Sequence, residues 1–326
     1  MPADGADLGA RLQRGDRSAV SEALNLVDDH RPEPRQQARE LLDQLQRSRE
    51  SLGAQRVGIT GAPGVGKSTL LDALVRTLRP ERSIGILAID PSSQQTGGAL
   101  LGDRYRVRSA SRDPGVYIRS MAARNRLGGL ADATSTSIEI LSAVFDFVFI
   151  ETVGVGQSES EISRLVDTLV FVAQPGAGDM LQFMKAGILE VPDVFLVNKA
   201  DLGAPAERTA GELGAGLGLS TGRGDGWEPP VLLASARDTT GIAELVEAID
   251  AHDRQARKTG AVGERRLAGR IHSAADALTA RYGSFGLEHI GGREALEIRV
   301  READGESVAS LIHALSQEIE DALIKP

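Results

Sequence analysis

Seven short apolar runs punctuate the middle of the chain, at residues 56–60, 84–90, 116–119, 145–151, 168–173, 194–198 and 231–234. Most are nearly continuous in Val, Ile, Leu and Phe, the pattern of strands buried on both faces. Longer segments with helical spacing lie between them, at 67–78, 127–143, 159–167, 180–190, 206–213 and 242–252. This alternation predicts βαβ units, a mostly parallel sheet and helices on both of its faces. The first 50 residues read differently. Leu8, Leu12, Val20, Leu24, Leu41, Leu42 and Leu45 stand as apolar anchors in a polar background. Pro32 and Pro34 divide that stretch into two expected helices. Beyond residue 251 the strand signals fade, and 265–281 and 307–324 read as amphipathic helices. The segment 295–301 is open, because Leu296, Ile298 and Val300 alternate while Glu, Ala and Leu favour helix. Three parts are expected: a helical arm over 1–50, an α/β domain over 51–252, and a mainly helical region over 253–326.

Composition narrows the function classes. The chain has 326 residues, a formal net charge of −9, 41% hydrophobic residues and no cysteine. Such a length supports one large or two modest cores. No apolar run nears the roughly 18 residues of a membrane helix. The amino end lacks the apolar centre of a signal peptide, so the cytosol is the expected compartment. The acidic balance argues against a general nucleic-acid binder. Without cysteine there are no disulfides, thiolate metal sites or thiol nucleophiles. The five histidines stand apart in sequence and suggest packing or surface roles, and Trp227 suggests an anchor for the Gly/Pro-rich loop at 219–230. Only five of the 37 basic residues are lysine, so each lysine invites a question.

The first chemical signal is Gly61-Ala62-Pro63-Gly64-Val65-Gly66-Lys67-Ser68, followed by Thr69. It satisfies G-x-x-x-x-G-K-[ST] between an expected strand and an expected helix, the context the pattern requires. Glycines let backbone N–H groups converge on phosphate oxygens, and the helix amino end adds positive potential. Lys67 would reach the β- and γ-phosphates, and the Ser68 hydroxyl would ligate Mg²⁺. The motif implies a P-loop NTPase fold.

Glu151 ends an apolar strand and precedes Gly154. A strand-end acid beside the phosphate loop suits Mg²⁺, and Gly154 would let a backbone N–H approach the γ-phosphate. Asp90 closes another apolar strand, and Asp103 follows a Gly-rich stretch. Both are further candidates for the Mg²⁺ shell. Gln157 is a candidate for positioning the attacking water, by its nearness to Gly154. Asn198-Lys199-Ala200-Asp201 gives N-K-x-D directly after a strand. Its carboxylate would accept from guanine N1–H and N2–H₂. Adenine lacks that donor pair and would leave the acid unpaired. The expected strand at 231–234 leads into Ser235-Ala236-Arg237, whose backbone would receive guanine O6. The expected cofactors are GTP or GDP with Mg²⁺.

Together these segments resemble the MeaB/ArgK-type P-loop GTPases. The match rests on GITGAPGVGKSTL from Gly58, AIDPSSQQTGGALLGD from Ala88, ETVGVGQSE from Glu151, QPGAGDMLQFMKAGILE from Gln174, and NKAD from Asn198. Glu151, where many GTPases place Asp, is this family's own pattern. The resemblance implies a GTP-hydrolysing chaperone that gates cofactor loading and protects or reactivates an adenosylcobalamin-dependent acyl-CoA mutase. It also implies a homodimer joined through a carboxyl-terminal helical segment. Because no residue beyond the candidate Gln157 stands out for positioning the attacking water, turnover is expected to be slow without the partner. By the same likeness Gln157, Glu159, Asp179, Gln182 and Lys185 fall in switch or partner-coupling segments. Two other readings compete. A metal-delivery GTPase would need thiolates or clustered histidines. A small-molecule kinase, an older label within this family, would have no use for the guanine-selective acid at 201.

Overall fold

The computed structural model describes residues 4–29, 31–47, 53–90, 113–122, 129–152, 162–176, 190–218, 226–303 and 305–324. Chain contacts divide it into two compact units. One comprises Met1–Ala54, Arg124–Phe145 and Arg266–Pro326; the other comprises Gln55–Ala123 and Asp146–Arg265.

The second unit holds the sheet. Its strands are β1 (Gln55–Thr60), β2 (Ile84–Asp90), β3 (Val116–Ala122), β4 (Phe147–Thr152), β5 (Thr168–Ala173), β6 (Val194–Val197) and β7 (Val231–Leu233). All seven apolar runs therefore form strands. The order is β3-β2-β4-β1-β5-β6-β7, and every pairing is parallel. β1 is central. The chain first builds outward to one side of it and then crosses to the other, which makes the carboxyl end of β1 the switch point where α/β sheets bind ligands.

Period-two alternation distributes the strand side chains between two cores. Val57, Ile59, Val170, Val172, Val194 and Leu196 pack with Leu70, Leu71 and Leu74 of α4 (Lys67–Leu78) and with Leu245 and Ile249 of a later helix. On the other face Phe171, Ala173, Phe195 and Val197 meet Ala206 and Leu213 of another. The Phe171 and Phe195 rings lie 5.9 Å apart, as expected for directly paired residues of neighbouring strands.

The first unit is helical. It begins with α1 (Gly5–Gln13), α2 (Ala19–Val27) and α3 (Pro32–Arg47). The sequence led us to expect two helices here, split at the prolines. There are three, because the chain also breaks at Gly15, whose φ is +77°, and Asp16 caps the next segment by accepting from the Ser18 N–H at 3.0 Å. Pro32 and Pro34 occupy the first turn of α3, where a missing N–H costs nothing. All seven leucine and valine anchors of this stretch are buried. Helix α5 (Gly129–Ser142) packs on α2 and α3 within the same unit.

The remaining helices are α6 (Ala204–Leu217), α7 (Ile242–Thr259), α8 (Ala261–His289, interrupted at Gly283), α9 (Gly292–Glu302) and α10 (Val308–Ile324). The ambiguous segment at 295–301 is thus helix: Leu296 and Val300, four apart, share a buried face with Leu278, Leu311 and Ile319. The first and last parts of the chain meet in this unit. Asp43 on α3 accepts from the Ser307 N–H at 2.9 Å and the Ser310 hydroxyl at 2.8 Å, placing a carboxylate at the amino end of α10. Among the described residues no helix is long and apolar enough to cross a membrane.

Candidate functional site

Loop 61–66 joins β1 to α4 at the carboxyl edge of the sheet. Three of its residues need glycine for different reasons. Gly61, at φ +144°, would place a Cβ 2.2 Å from the Val172 carbonyl oxygen. Gly66, at φ +97°, would place one 2.5 Å from Asn198 Nδ2. Gly64 has open space around it but a φ of +81°, which side chains with a Cβ rarely adopt. The loop thus turns its backbone inward and delivers the amino end of α4 to its centre. Lys67 is 7% exposed. Its ammonium donates to the Gly61 and Ala62 carbonyls at 2.6 and 3.0 Å. Ala62, Pro63 and Val65 complete the turn, with Val65 buried and Pro63 exposed; Thr69, in the first turn of α4, is exposed.

The pairing of β1 with β4 sets Glu151 opposite Ile59, and Ser68 opens the helix after the loop. Their side chains meet: Ser68 Oγ donates to Glu151 Oε1 at 2.7 Å. Two hard oxygen donors at the mouth of a phosphate loop are the donor set Mg²⁺ prefers, so these residues fit the ion that a P-loop implies.

The N-K-x-D motif follows β6. Asn198 is 2% exposed and uses both ends of its amide. Nδ2 donates to the Val65 carbonyl at 2.8 Å, and Oδ1 accepts from the Ala236 N–H at 3.1 Å. One side chain therefore ties the phosphate loop to the segment after β7. Lys199 has left-handed backbone, φ +62°, and its ammonium donates to the Gly64 carbonyl at 2.9 Å. Asp201 Oδ1 accepts from Ser235 Oγ at 2.8 Å, and Oδ2 lies 3.1 Å from an Arg237 guanidinium nitrogen. Arg237 also grips Asp238, and these hydrogen bonds, foremost that with Asp238, raise its pKa further. A carboxylate has about four lone-pair sites, so Asp201 keeps acceptor capacity for two base donors while Ser235 and Arg237 fix its plane.

The structure thus brings residues 61–69, Glu151, Asn198, Lys199, Asp201, Ser235, Ala236 and Arg237 into one hydrogen-bonded constellation. Asp90 ends β2, but its side chain lies outside the described residues. So do Asp103, Gly154, Gln157, Glu159, Asp179, Gln182 and Lys185. One participant is not assigned to the site from the sequence, although it opens one of the segments that carry the family resemblance. Gln174 accepts from Lys199 Nζ at 2.7 Å, and it is the pairing of β5 with β6, which sets Ala173 beside Val197, that brings it near that lysine. Away from this edge, Trp227 does anchor its segment, donating to the Asp193 carbonyl at 2.8 Å. His252 is a buried packing residue against that ring.

The family model described as methylmalonyl Co-A mutase-associated GTPase MeaB matches residues 20–281. A GTPase candidate of Pyrococcus abyssi is 45% identical over 264 residues, 80% of this chain and 79% of that one. In Mus musculus the protein named methylmalonic aciduria type A homolog, mitochondrial, is 36% identical over 267 residues, 78% of this chain and 64% of its own. Among solved structures, a LAO/AO transport system kinase shares the fold, with a TM-score of 0.69 at 24% identity, covering 98% of this chain and 99% of that one. With 43% identity to a Mycobacterium tuberculosis protein named as a probable GTPase, over 75% of this chain and 74% of that one, the chain is a GTPase and belongs to the MeaB family of methylmalonyl Co-A mutase-associated GTPases.

Proposed function

We propose that this GTPase is a chaperone of an adenosylcobalamin-dependent acyl-CoA mutase, gating cofactor loading and protecting or reactivating the mutase. The observation that carries this reading is the match of residues 20–281 to a family described by its association with methylmalonyl Co-A mutase. The cytosolic placement and the GTP, GDP and Mg²⁺ requirement belong to the same reading. Here loop 61–66 cradles the phosphates, Lys67 neutralises charge on the β- and γ-phosphate oxygens, and Asp201 reads guanine. Ser68 and Glu151 would hold Mg²⁺, which when bound supplies further charge neutralisation at the phosphates. Gly154, Gln157, Asp90 and Asp103 remain assigned to nucleotide and metal contacts, and Glu159, Asp179, Gln182 and Lys185 to coupling with the mutase, from the sequence likeness. The protein is a homodimer in this reading. Large apolar side chains left exposed in the helical unit support a face of that kind: Phe285 is 43%, Ile298 53% and Leu323 59% exposed.

The test uses purified protein with a panel of methylmalonyl-, ethylmalonyl-, isobutyryl- and 2-hydroxyisobutyryl-CoA mutases. One of them should raise GTP turnover at least about tenfold and co-elute in a nucleotide-dependent way. Equal turnover with and without every mutase would remove the chaperone role. Base selection is tested separately. Asp201→Asn should weaken GDP binding by about 10- to 100-fold, the range for one buried polar contact left unmatched, with little change in melting temperature. Competitive titration with GDP, XDP and ADP reads this, and an ADP preference in the unaltered protein would overturn the assignment of Asp201.

A further inference from the structure

Lys199 holds an unfavourable backbone conformation, and its ammonium contacts two neutral acceptors. One is the Gly64 carbonyl at 2.9 Å; the other is Gln174 Oε1 at 2.7 Å. Left-handed backbone at a residue with a Cβ persists where its surroundings hold it. Among the described non-glycine residues only Lys199 and Thr239 have positive φ. Gln174 is itself well fixed. Its predecessor Ala173 pairs with Val197 on β6. Two residues further on, Gly176, at φ +74°, donates its N–H to Thr209 Oγ1 at 3.4 Å, and Thr209 is buried on α6. The amide oxygen is thereby aimed at the ammonium from the end of a central strand. An ammonium donates only, so the atom facing it is the oxygen.

We infer that Gln174 is a positioning residue for the bound guanine nucleotide. By holding Lys199 Nζ against the Gly64 carbonyl, it keeps the base-reading turn clasped to the phosphate loop and slows nucleotide release. Gln174 acts through Lys199 and touches no reacting atom. The inference rests on guanine nucleotide binding at this loop.

The experiment measures release of a fluorescent GDP analogue by stopped flow, in excess GDP and fixed Mg²⁺. Gln174→Met keeps the side-chain length and removes the acceptor. It should speed release about tenfold, the order of one hydrogen bond to a charged group. Gln174→Glu restores an acceptor and should return release to within a few-fold of the unaltered protein. In the Gln174→Met/Lys199→Ala double variant, release should be no faster than in Lys199→Ala alone, because both changes remove one interaction. Melting curves check that each variant is folded. Release from Gln174→Met at the unaltered rate, or effects of the two substitutions that multiply in full, would overturn the inference. Failure of the unaltered protein to retain the analogue would instead strike down the nucleotide site itself, and the inference with it.

Discussion

Lys67→Ala is expected to lower GTP turnover roughly 10²–10³-fold, the cost of removing one preorganised charge-stabilising donor. The side chain is almost wholly buried under its loop, and the Gly61 and Ala62 carbonyls hold its ammonium from one side. A bound nucleotide would draw that ammonium toward a phosphate oxygen. Because that geometry suits a compact ammonium, Lys67→Arg should not rescue: the planar guanidinium is wider and its fork cannot seat on two carbonyls of one tight turn. Phosphate release at saturating GTP measures the effect. Melting temperature should stay close to that of the unaltered protein, since the leucine face of α4 is untouched. Turnover within a few-fold of the unaltered protein would show that Lys67 does not serve the transferred phosphate.

The largest stability effect is expected far from the nucleotide, at Asp193. This residue precedes β6, at the amino edge of the sheet, and is fully buried. Its carboxylate receives both terminal nitrogens of Arg265 at 2.8 Å and the Leu169 N–H at 2.8 Å, with His252 Nε2 at 3.3 Å. Burial alone would push its pKa up. The Arg265 fork, followed by His252 and the Leu169 N–H, outweighs burial and holds it below the usual carboxylate range. Asp193→Asn removes the charge that faces Arg265, whose side chain is 28% exposed, and should cost about 1–3 kcal/mol, read by urea unfolding at pH 7. The sign of the pH dependence follows. A depressed carboxyl contributes stability above its unfolded-state pKa and loses it as pH falls through the folded-state value. Stability of the unaltered protein should therefore decline on acidification below the usual carboxylate range, and Asp193→Asn should flatten part of that decline. Nucleotide affinity of the folded variant should be preserved, because the cluster lies at the opposite edge from loop 61–66. A loss under about 1 kcal/mol would mean the pair is not the fastening the geometry suggests.

Much of this fold can be read from residue order alone, for reasons visible in single elements. The interior strands announce themselves because both faces are buried, so polar residues are scarce in them, whereas the edge strands β3 and β7 are only partly covered. Helix α4 runs from Lys67 to Leu78 as its spacing predicts, since a glycine loop starts it and the apolar period ends with Leu78. Helix α7 extends to Thr259, past the expected end at 252, because its buried face continues through the charged Asp253 as well as the small Ala256. Hydrophobic spacing cannot register such a face. The extra break at Gly15 is missed for a related reason: a single glycine followed by an Asp cap is a weak signal beside two prolines. In the candidate site, each motif is legible because binding a phosphate, a metal or a base would demand fixed residue types at fixed spacing. The bonds between motifs are not. That Asn198 spends one half of its amide on Val65 and the other on Ala236 depends on which strands are neighbours, as does the meeting of Gln174 with Lys199.

The division of the chain into two units also orders their assembly during synthesis. Everything the nucleotide unit needs has been made once residue 265 leaves the ribosome. The helical unit waits for the end of the chain, because Asp43 has no Ser307 to cap until α10 exists. Domains fold as units as they emerge, so the guanine-nucleotide fold can close around GTP while the amino-terminal helices are still without their carboxyl-terminal partners. Truncations that remove α10 should spare the sheet and leave α3 as the exposed, protease-sensitive element of the nascent protein.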